Sequence, residues 1–377
     1  NVVDLGLGKG NSSCKECLPY IVLVGSLMEY INNQKKPDEV VAYFIVSDPA
    51  PCRVEQYQVG FKKLIEKQKI KDVSILTLSS AEGFAGMGLG PLLNVWKAMC
   101  LGDVMEQINS VILALAKNKK EALEIHEREW KKILLNLSGK EKISFYKRLE
   151  LSAKEIGKIE LTQKVEDAHR ITVTGEMYVR NEPFCRGYIE NTLADMGFIT
   201  KITPLIEWFY YVDNIIYKNI PKDKISIFKR FYFLMKTKTQ KAIEKKIKRI
   251  FSKYTNLYEY DPIDLKGVMK TSTPLVSEKL IGDIGITIGV GLKEVLKESC
   301  GIISLGPFAC IQTRMAEAIL NNNMTLEGKL RVNEDSVFGE DIHKLDKNMP
   351  LPYLAIESDG NPYPQIIQAR LEVFALQ

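Results

Sequence analysis

The sequence predicts an α/β protein made of two doubly wound parallel-sheet domains with a helical insertion. Three observations carry that prediction. Short apolar runs alternate with helical stretches, turns bearing Gly or Pro separate each run from its helix, and the alternation occurs on both sides of a helical block. Strands that alternate with helices pair in parallel through right-handed crossovers. At 377 residues the chain also exceeds one ordinary core and fits two domains of about 100–200 residues.

The first cycle reads VVAYFIVSDPAPCRVEQYQVGFKKLIEKQ, with a buried-strand pattern over Val40–Val46 and a helix starting at or just after Cys52. The next, DVSILTLSSAEGFAGMGLGP, is a strand over Val73–Leu78 running into a Gly-rich loop. A long helical region follows, over about residues 92–164, with breaks near Asn118 and at Ser138-Gly139. Glu124, Glu127, Glu129, Lys131 and Lys132 give it a solvated face.

His169 opens the second cycle. HRITVTGEMYVRNEPFCRGYIENTLADMG reads strand, turn, helix, and FITKITPLIEWFYYVDNII reads strand then helix. SCGIISLGPFACIQTRMAEAILNN and LPYLAIESDGNPYPQIIQARLEVFALQ repeat the pattern beyond a basic helical block. The expected division is therefore 1–167 and 168–377, with the basic insertion at about 218–256.

Composition narrows the function. With 45% hydrophobic and 26% charged residues the chain is of globular type. No uninterrupted apolar run approaches the roughly 18–20 residues of a membrane span, and no basic-then-apolar leader opens the chain, so a cytoplasmic protein is expected. The abrupt start without Met predicts a piece of a longer polypeptide. Seven cysteines in such a chain argue against a disulfide framework, and three histidines make His-rich metal sites and His-dependent acyl transfer poor guesses.

Between Lys218 and Lys253 lie thirteen Lys or Arg against Asp223 and Glu244. Ile243, Ile247, Ile250, Phe251 and Tyr254 fall there at helical spacing, which predicts an apolar stripe under a lysine-rich solvated face. Docking of an acidic partner protein is the functional reading of the same face. Nucleic acid is not expected, because aromatics and Gly are not interleaved with the charge.

The chemistry concentrates in cysteines. Ligands of open parallel sheets bind beyond the carboxyl ends of strands, where helix N-termini point. Cys52 follows its strand through SDPAPC and Cys310 follows Gly301–Leu305 through GPFAC. A helix N-terminus is expected to favour thiolate at both. Cys100 and Cys300 read as core residues, and Cys185 as a second-tier helix opener. The pair Cys14 and Cys17, in NSSCKECLP, follows the glycine-rich DLGLGKG, read as a loop. Structural zinc needs four ligands, normally two close pairs, and neither a second C-x-x-C nor an H-x-x-x-H is present. A thiolate-held cluster tolerates dispersed ligands, so Cys14, Cys17, Cys52 and Cys310 form one candidate set. Zinc, dithiol redox chemistry and inert cysteines stay open as alternatives.

Other polar residues stand at expected strand ends. Glu176 lies just past TVTG, and Glu357 and Asp359 lie past YLAI. Each suits a cap or turn, and Glu176 or Glu357 also suits an acid, base or hydrogen-bonding group lining a cleft. Arg53 and Arg314, one and four residues beyond the lone cysteines, suit neutralisation of a thiolate cluster or of an anionic substrate, and equally suit surface ion pairs. DLGLGKGNSS lacks the P-loop spacing, and GFAGMGLGP is a flexible loop before it is a nucleotide site.

NSSCKECLP, PCRVEQY, TGEMYVRNE, GIISLGPFAC with RMAEAIL, and YLAIESDGNPYPQIIQARLE together resemble the 2-hydroxyacyl-CoA dehydratase superfamily. The branch most similar is the dehydratase-like region found with, or fused to, CoA-enzyme activases. The resemblance runs from about Gly10 to Gln377. It implies two flavodoxin-like domains with an iron–sulfur site between them, either a 4Fe–4S or a double-cubane cluster. It also implies an ATP-dependent activase that delivers a low-potential electron, for radical dehydration of an acyl-CoA or reduction of a small molecule. It places the ligands at Cys14, Cys17, Cys52 and Cys310, with Cys185 and Cys300 outside the matched motifs. No membrane or nucleic-acid partner is implied, and a homodimer is compatible with it. The alternative is a non-catalytic metal-binding or activase-docking module of the same fold.

Overall fold

The computed structural model describes residues 2–13, 16–46, 52–78, 88–219, 227–308, 310–332, 346–361 and 364–377. In chain order the elements are α1 (Val2–Gly10), α2 (Leu18–Asn33), β1 (Val41–Val46), a 3-10 turn (Arg53–Gln56), α3 (Tyr57–Gln68), β2 (Val73–Leu78), α4 (Leu89–Leu115), α5 (Lys119–Leu137) and α6 (Phe145–Ile156). A second 3-10 turn (Val165–Asp167) leads to β3 (Arg170–Gly175), α7 (Met177–Asn181), α8 (Ile189–Asp195), β4 (Ile199–Ile202), α9 (Leu205–Asn219), α10 (Ile227–Tyr254), α11 (Leu265–Ser272) and α12 (Asp283–Glu294). The chain closes with β5 (Gly301–Pro307), α13 (Ile311–Asn323), α14 (Leu326–Val332), β6 (Tyr353–Ser358) and α15 (Gln365–Leu376).

The fold is mixed α/β with two parallel sheets. All six apolar runs singled out above form strands. One sheet pairs β1 with β2, from Val41 opposite Val73 to Val46 opposite Leu78. The other has the order β4-β3-β5-β6. Its chain leaves β3 toward one side, to β4, and then returns to the opposite side of β3 with β5. The carboxyl ends of β3 and β5 therefore flank the point where strand order reverses, the usual place for a ligand crevice.

Helices cover both faces of this second sheet. Val173, Ile303, Leu305 and Ile356 pack against Leu5, Leu18, Ile21 and Val22 of α1 and α2. Ile302 meets Ile284, Ile288 and Leu292 of α12 and Leu320 of α13 on the opposite side. The segment DLGLGKG, expected as a loop, is helical in α1. Its glycines serve close packing: a Cβ on Gly8 would stand 1.9 Å from the Ile21 carbonyl oxygen, and one on Gly25 1.7 Å from that of Asp4.

The predicted helix breaks hold. Asn118 caps α5 by accepting the Glu121 N–H, and Gly139 follows its end at φ 77°. The α4 helix is more apolar than the reading of uninterrupted runs allowed: Gly90–Leu115 is long and apolar enough to cross a membrane by length and composition. In the fold, Leu101, Val104, Ile108 and Ile112 are core residues that meet Ile199 of β4, Ile206 and Tyr210 of α9, and the stripe of α10. Asp103 interrupts that apolar surface for a reason, accepting the Leu205 and Ile206 N–H groups at 2.8 and 3.1 Å.

In α10 the expected stripe is buried through Ile243, Ile247, Ile250 and Phe251. Lys248 departs from the solvated face assigned to it. It is 2% exposed, pairs with Glu244 at 3.0 Å and donates to the Asp261 carbonyl at 2.6 Å.

Candidate functional site

Two strand ends build the crevice. At β3, Gly175 adopts φ 115°, and a Cβ there would stand 1.9 Å from the Leu305 carbonyl oxygen. This close approach lets the Glu176 N–H donate to that oxygen at 2.8 Å. Glu176 then caps α7, its carboxylate accepting the Tyr178 and Val179 N–H groups at 3.0 and 2.8 Å. At β5, the Phe308 N–H donates to the Ser358 carbonyl at 2.9 Å, and Cys310 is the N-cap of α13.

Cys17 is likewise the N-cap of α2, and Cys52 that of the turn at Arg53–Gln56. None of the three thiols makes a full capping bond, although the Tyr20 N–H of α2 and the Val54 N–H of the turn act on Cys17 and Cys52. They come together electrostatically: Glu176 and Cys310 both act on Cys17, while Cys17, Glu176 and Cys310 all act on Cys52. Tyr57, which opens α3 behind Cys52, places its hydroxyl 2.6 Å from the Cys17 sulfur and ties the two segments. Cys14 lies outside the described residues.

Burial pushes both the Cys17 and Cys52 thiols up. For Cys17 the Tyr57 hydroxyl pulls the other way, and for Cys52 the Val54 N–H does. The expectation that helix N-termini favour thiolate here is corrected, because desolvation and mutual repulsion outweigh the end of the helix. Metal ligation at these thiols must therefore expel protons. Among the described residues no three of His, Cys, Asp and Glu stand close enough to share one metal ion. Thiolates of a cubane stand farther apart, since each binds its own iron.

Behind the thiols, Glu176, expected at its strand end, joins a group of charges whose other members the sequence reading missed. Burial and the neighbouring Asp283 carboxylate push Glu176 up to about 7, against its two helix N–H bonds and Arg180. Asp283, at the start of α12, is also pushed up by burial. Arg180 is fully buried, and its Nη1 donates to the Gly175 carbonyl at 2.6 Å, while its Nε and Nη2 have no acceptor among the described residues. Glu207 of α9 is raised to about 7 by burial, with Arg180 opposing. The signal in the sequence was Glu176 and Arg180 one helical turn apart in GEMYVR.

Glu357 lies inside β6, opposite Gly306, and not past the strand as expected. Its carboxylate stands 3.9 Å from Arg314, whose Nη1 also meets Glu317 at 2.6 Å. Arg314 sits one turn into α13 from Cys310. Arg53 is exposed in the turn that Cys52 caps. Asp359 takes the turn role, accepting the Asn361 N–H at 3.0 Å.

Of the remaining cysteines, Cys100 is core as expected. Cys185 packs in the core under the second sheet rather than opening toward the crevice. Cys300 is exposed, not core and not at the end of α12, because the chain turns through Leu296 at φ 63° before entering β5. No protein-family model, curated protein or solved structure matches the chain.

Proposed function

We propose that the chain is an iron–sulfur component of the activase-dependent 2-hydroxyacyl-CoA dehydratase type, built on two flavodoxin-like domains. Cys14, Cys17, Cys52 and Cys310 hold the cluster, 4Fe–4S or part of a double cubane. The observation that carries this reading is that Cys17, Cys52 and Cys310, each the N-cap of a different helix, lie within electrostatic range of one another and of Glu176. The flavodoxin-like assignment draws support from the strand order of the second sheet and the crevice at its reversal.

The donor set suits such a cluster: three cysteine sulfurs at helix starts, none of which makes a full capping bond. Bound there, the cluster would supply single low-potential electrons received from an ATP-hydrolysing activase. The chain's own residues do the rest. Cys17 and Cys52 lose their protons on loading. Glu176 keeps a proton up to about pH 7 and can donate it within the crevice. Arg314, steadied by Glu317 and Glu357, places positive charge one turn from Cys310, for the thiolates or for an anionic group of an acyl-CoA or smaller substrate.

Anaerobic reconstitution followed by iron, sulfide and zinc analysis tests the reading. Matching iron and sulfide with visible charge-transfer absorbance is expected. A colourless protein that takes up zinc alone would instead support a structural zinc site.

A further inference from the structure

The groove between α6 and α10 holds an open cavity of about 500 Å³, lined by Lys245, Lys246, Arg249 and Lys253, with Glu150 and Tyr254 beside them. All four cations are exposed, and no described carboxylate pairs with any of them. Glu150 is engaged by Lys147 at 3.1 Å. Some surface cations elsewhere are paired, as Lys131 is with Glu127 at 2.7 Å and Lys158 with Glu155 at 2.7 Å, while others, such as Lys62 and Lys63, have no such pair among the described residues. Here the neighbours are rings. Lys246 lies 3.7 Å from the Tyr146 centroid, Arg249 5.7 Å from that of Tyr260 and Lys253 5.1 Å from that of Tyr254. A ring attracts a cation without neutralising it.

Lys245, Arg249 and Lys253 are spaced one turn apart, about 6 Å between neighbours and about 12 Å in all. Like charges at that spacing repel and weaken a helix. A linear anion laid along them would relieve the repulsion. The cavity volume falls within the ordinary range for small ligands, about 300–1,000 Å³. An Arg fork among lysine point charges matches phosphoryl oxygens. Lys154 and Lys253 both lie about 5 Å from the Tyr254 centroid, so that ring is not open to stack on a base.

We propose that this groove binds a linear polyphosphate chain, free or carried by a nucleotide, and that it reads the phosphates and not the base. Calorimetric titration of the full chain with sodium tripolyphosphate and with ATP tests this. Tripolyphosphate should bind saturably, ATP within about threefold of it, and both more weakly as salt rises. Lys245→Glu with Arg249→Glu should weaken tripolyphosphate by about 10-fold or more, whereas Lys62→Glu with Lys63→Glu on α3 should not. Arg249→Gln, expected to cost about threefold, serves if the double variant unfolds. Iron loading at the crevice should be unchanged in all of them. Non-saturating binding, equal loss in the α3 variant, or ATP more than about 10-fold tighter than tripolyphosphate would overturn the proposal. Poly-L-glutamate displacing tripolyphosphate at lower charge concentration would do the same, by assigning the face to an acidic polypeptide.

Discussion

The crevice and the outer face of α10 handle charge in opposite ways. At the crevice, thiols and carboxyls are gathered at helix N-termini and partly desolvated, so that Cys17, Cys52, Glu176 and Asp283 all hold their protons more tightly than in water. On α10, Lys245, Lys246, Arg249 and Lys253 stay in solvent above a buried stripe of Ile243, Ile247 and Phe251, with no carboxylate paired to them among the described residues. The first region stores protons that a bound cation can displace. The second offers exposed cations to an anion. Residue type sets the sign of the charge, and burial sets how readily it forms.

The largest expected effect is at the crevice. Cys17→Ser or Cys310→Ser should lower cluster absorbance after reconstitution by about 10-fold or more, because losing a thiolate ligand opens the site. Cys300→Ser should leave it unchanged. Near-complete loading of the first two variants would break the contrast by removing those thiols from the site.

Next comes the stripe beneath the cations. Ile247→Ala should cost about 2–5 kcal/mol in denaturant unfolding, the range for a large-to-small change in a packed core. Lys245→Ala, on the outer face, should stay within about 0.5 kcal/mol. Equal costs would mean that the two faces of α10 are not divided as described.

A smaller effect is carried by Glu207. Its carboxyl holds its proton more tightly folded than unfolded, so its contribution is present below the ordinary carboxylate range and is lost as pH rises through about 7. Glu207→Gln should therefore stabilise the protein by about 1–3 kcal/mol at pH 8 and change little at pH 4.5. A gain of the same size at both pH values would show that packing, not ionisation, is responsible.

Smallest is the thiol reactivity. Alkylation of Cys52, exposed yet pushed up by its surroundings, should be slow at neutral pH and accelerate only above the ordinary thiol range. Fast labelling at pH 7 would restore the thiolate expected from the helix end alone.

Much of this was legible because it is local. The strands are apolar runs closed by turns, Cys310 and Glu176 follow such runs directly, and the stripe of α10 repeats at helical spacing. What failed had non-local causes. The glycines of α1 read as a loop because their purpose, contact with Ile21 and Asp4 across the α1–α2 crossing, lies outside the segment. Lys248 read as solvent-facing because one partner, the Asp261 carbonyl, meets it only when the chain after α10 folds back, although the other, Glu244, stands one turn away on α10 itself. Arg180 and Asp283 stand over a hundred residues apart, and no motif links them. The raised thiols were missed because burial depends on how α2, α3 and α13 converge, which spacing alone does not report.

The proposed site is tested most directly by mapping thiols before and after anaerobic iron–sulfide loading, using alkylation read by mass spectrometry. The expected result is protection of Cys14, Cys17, Cys52 and Cys310 in the loaded protein, with exposed Cys300 alkylated as readily as before. Unchanged labelling of those four cysteines, or protection of a different set, would contradict the proposed centre.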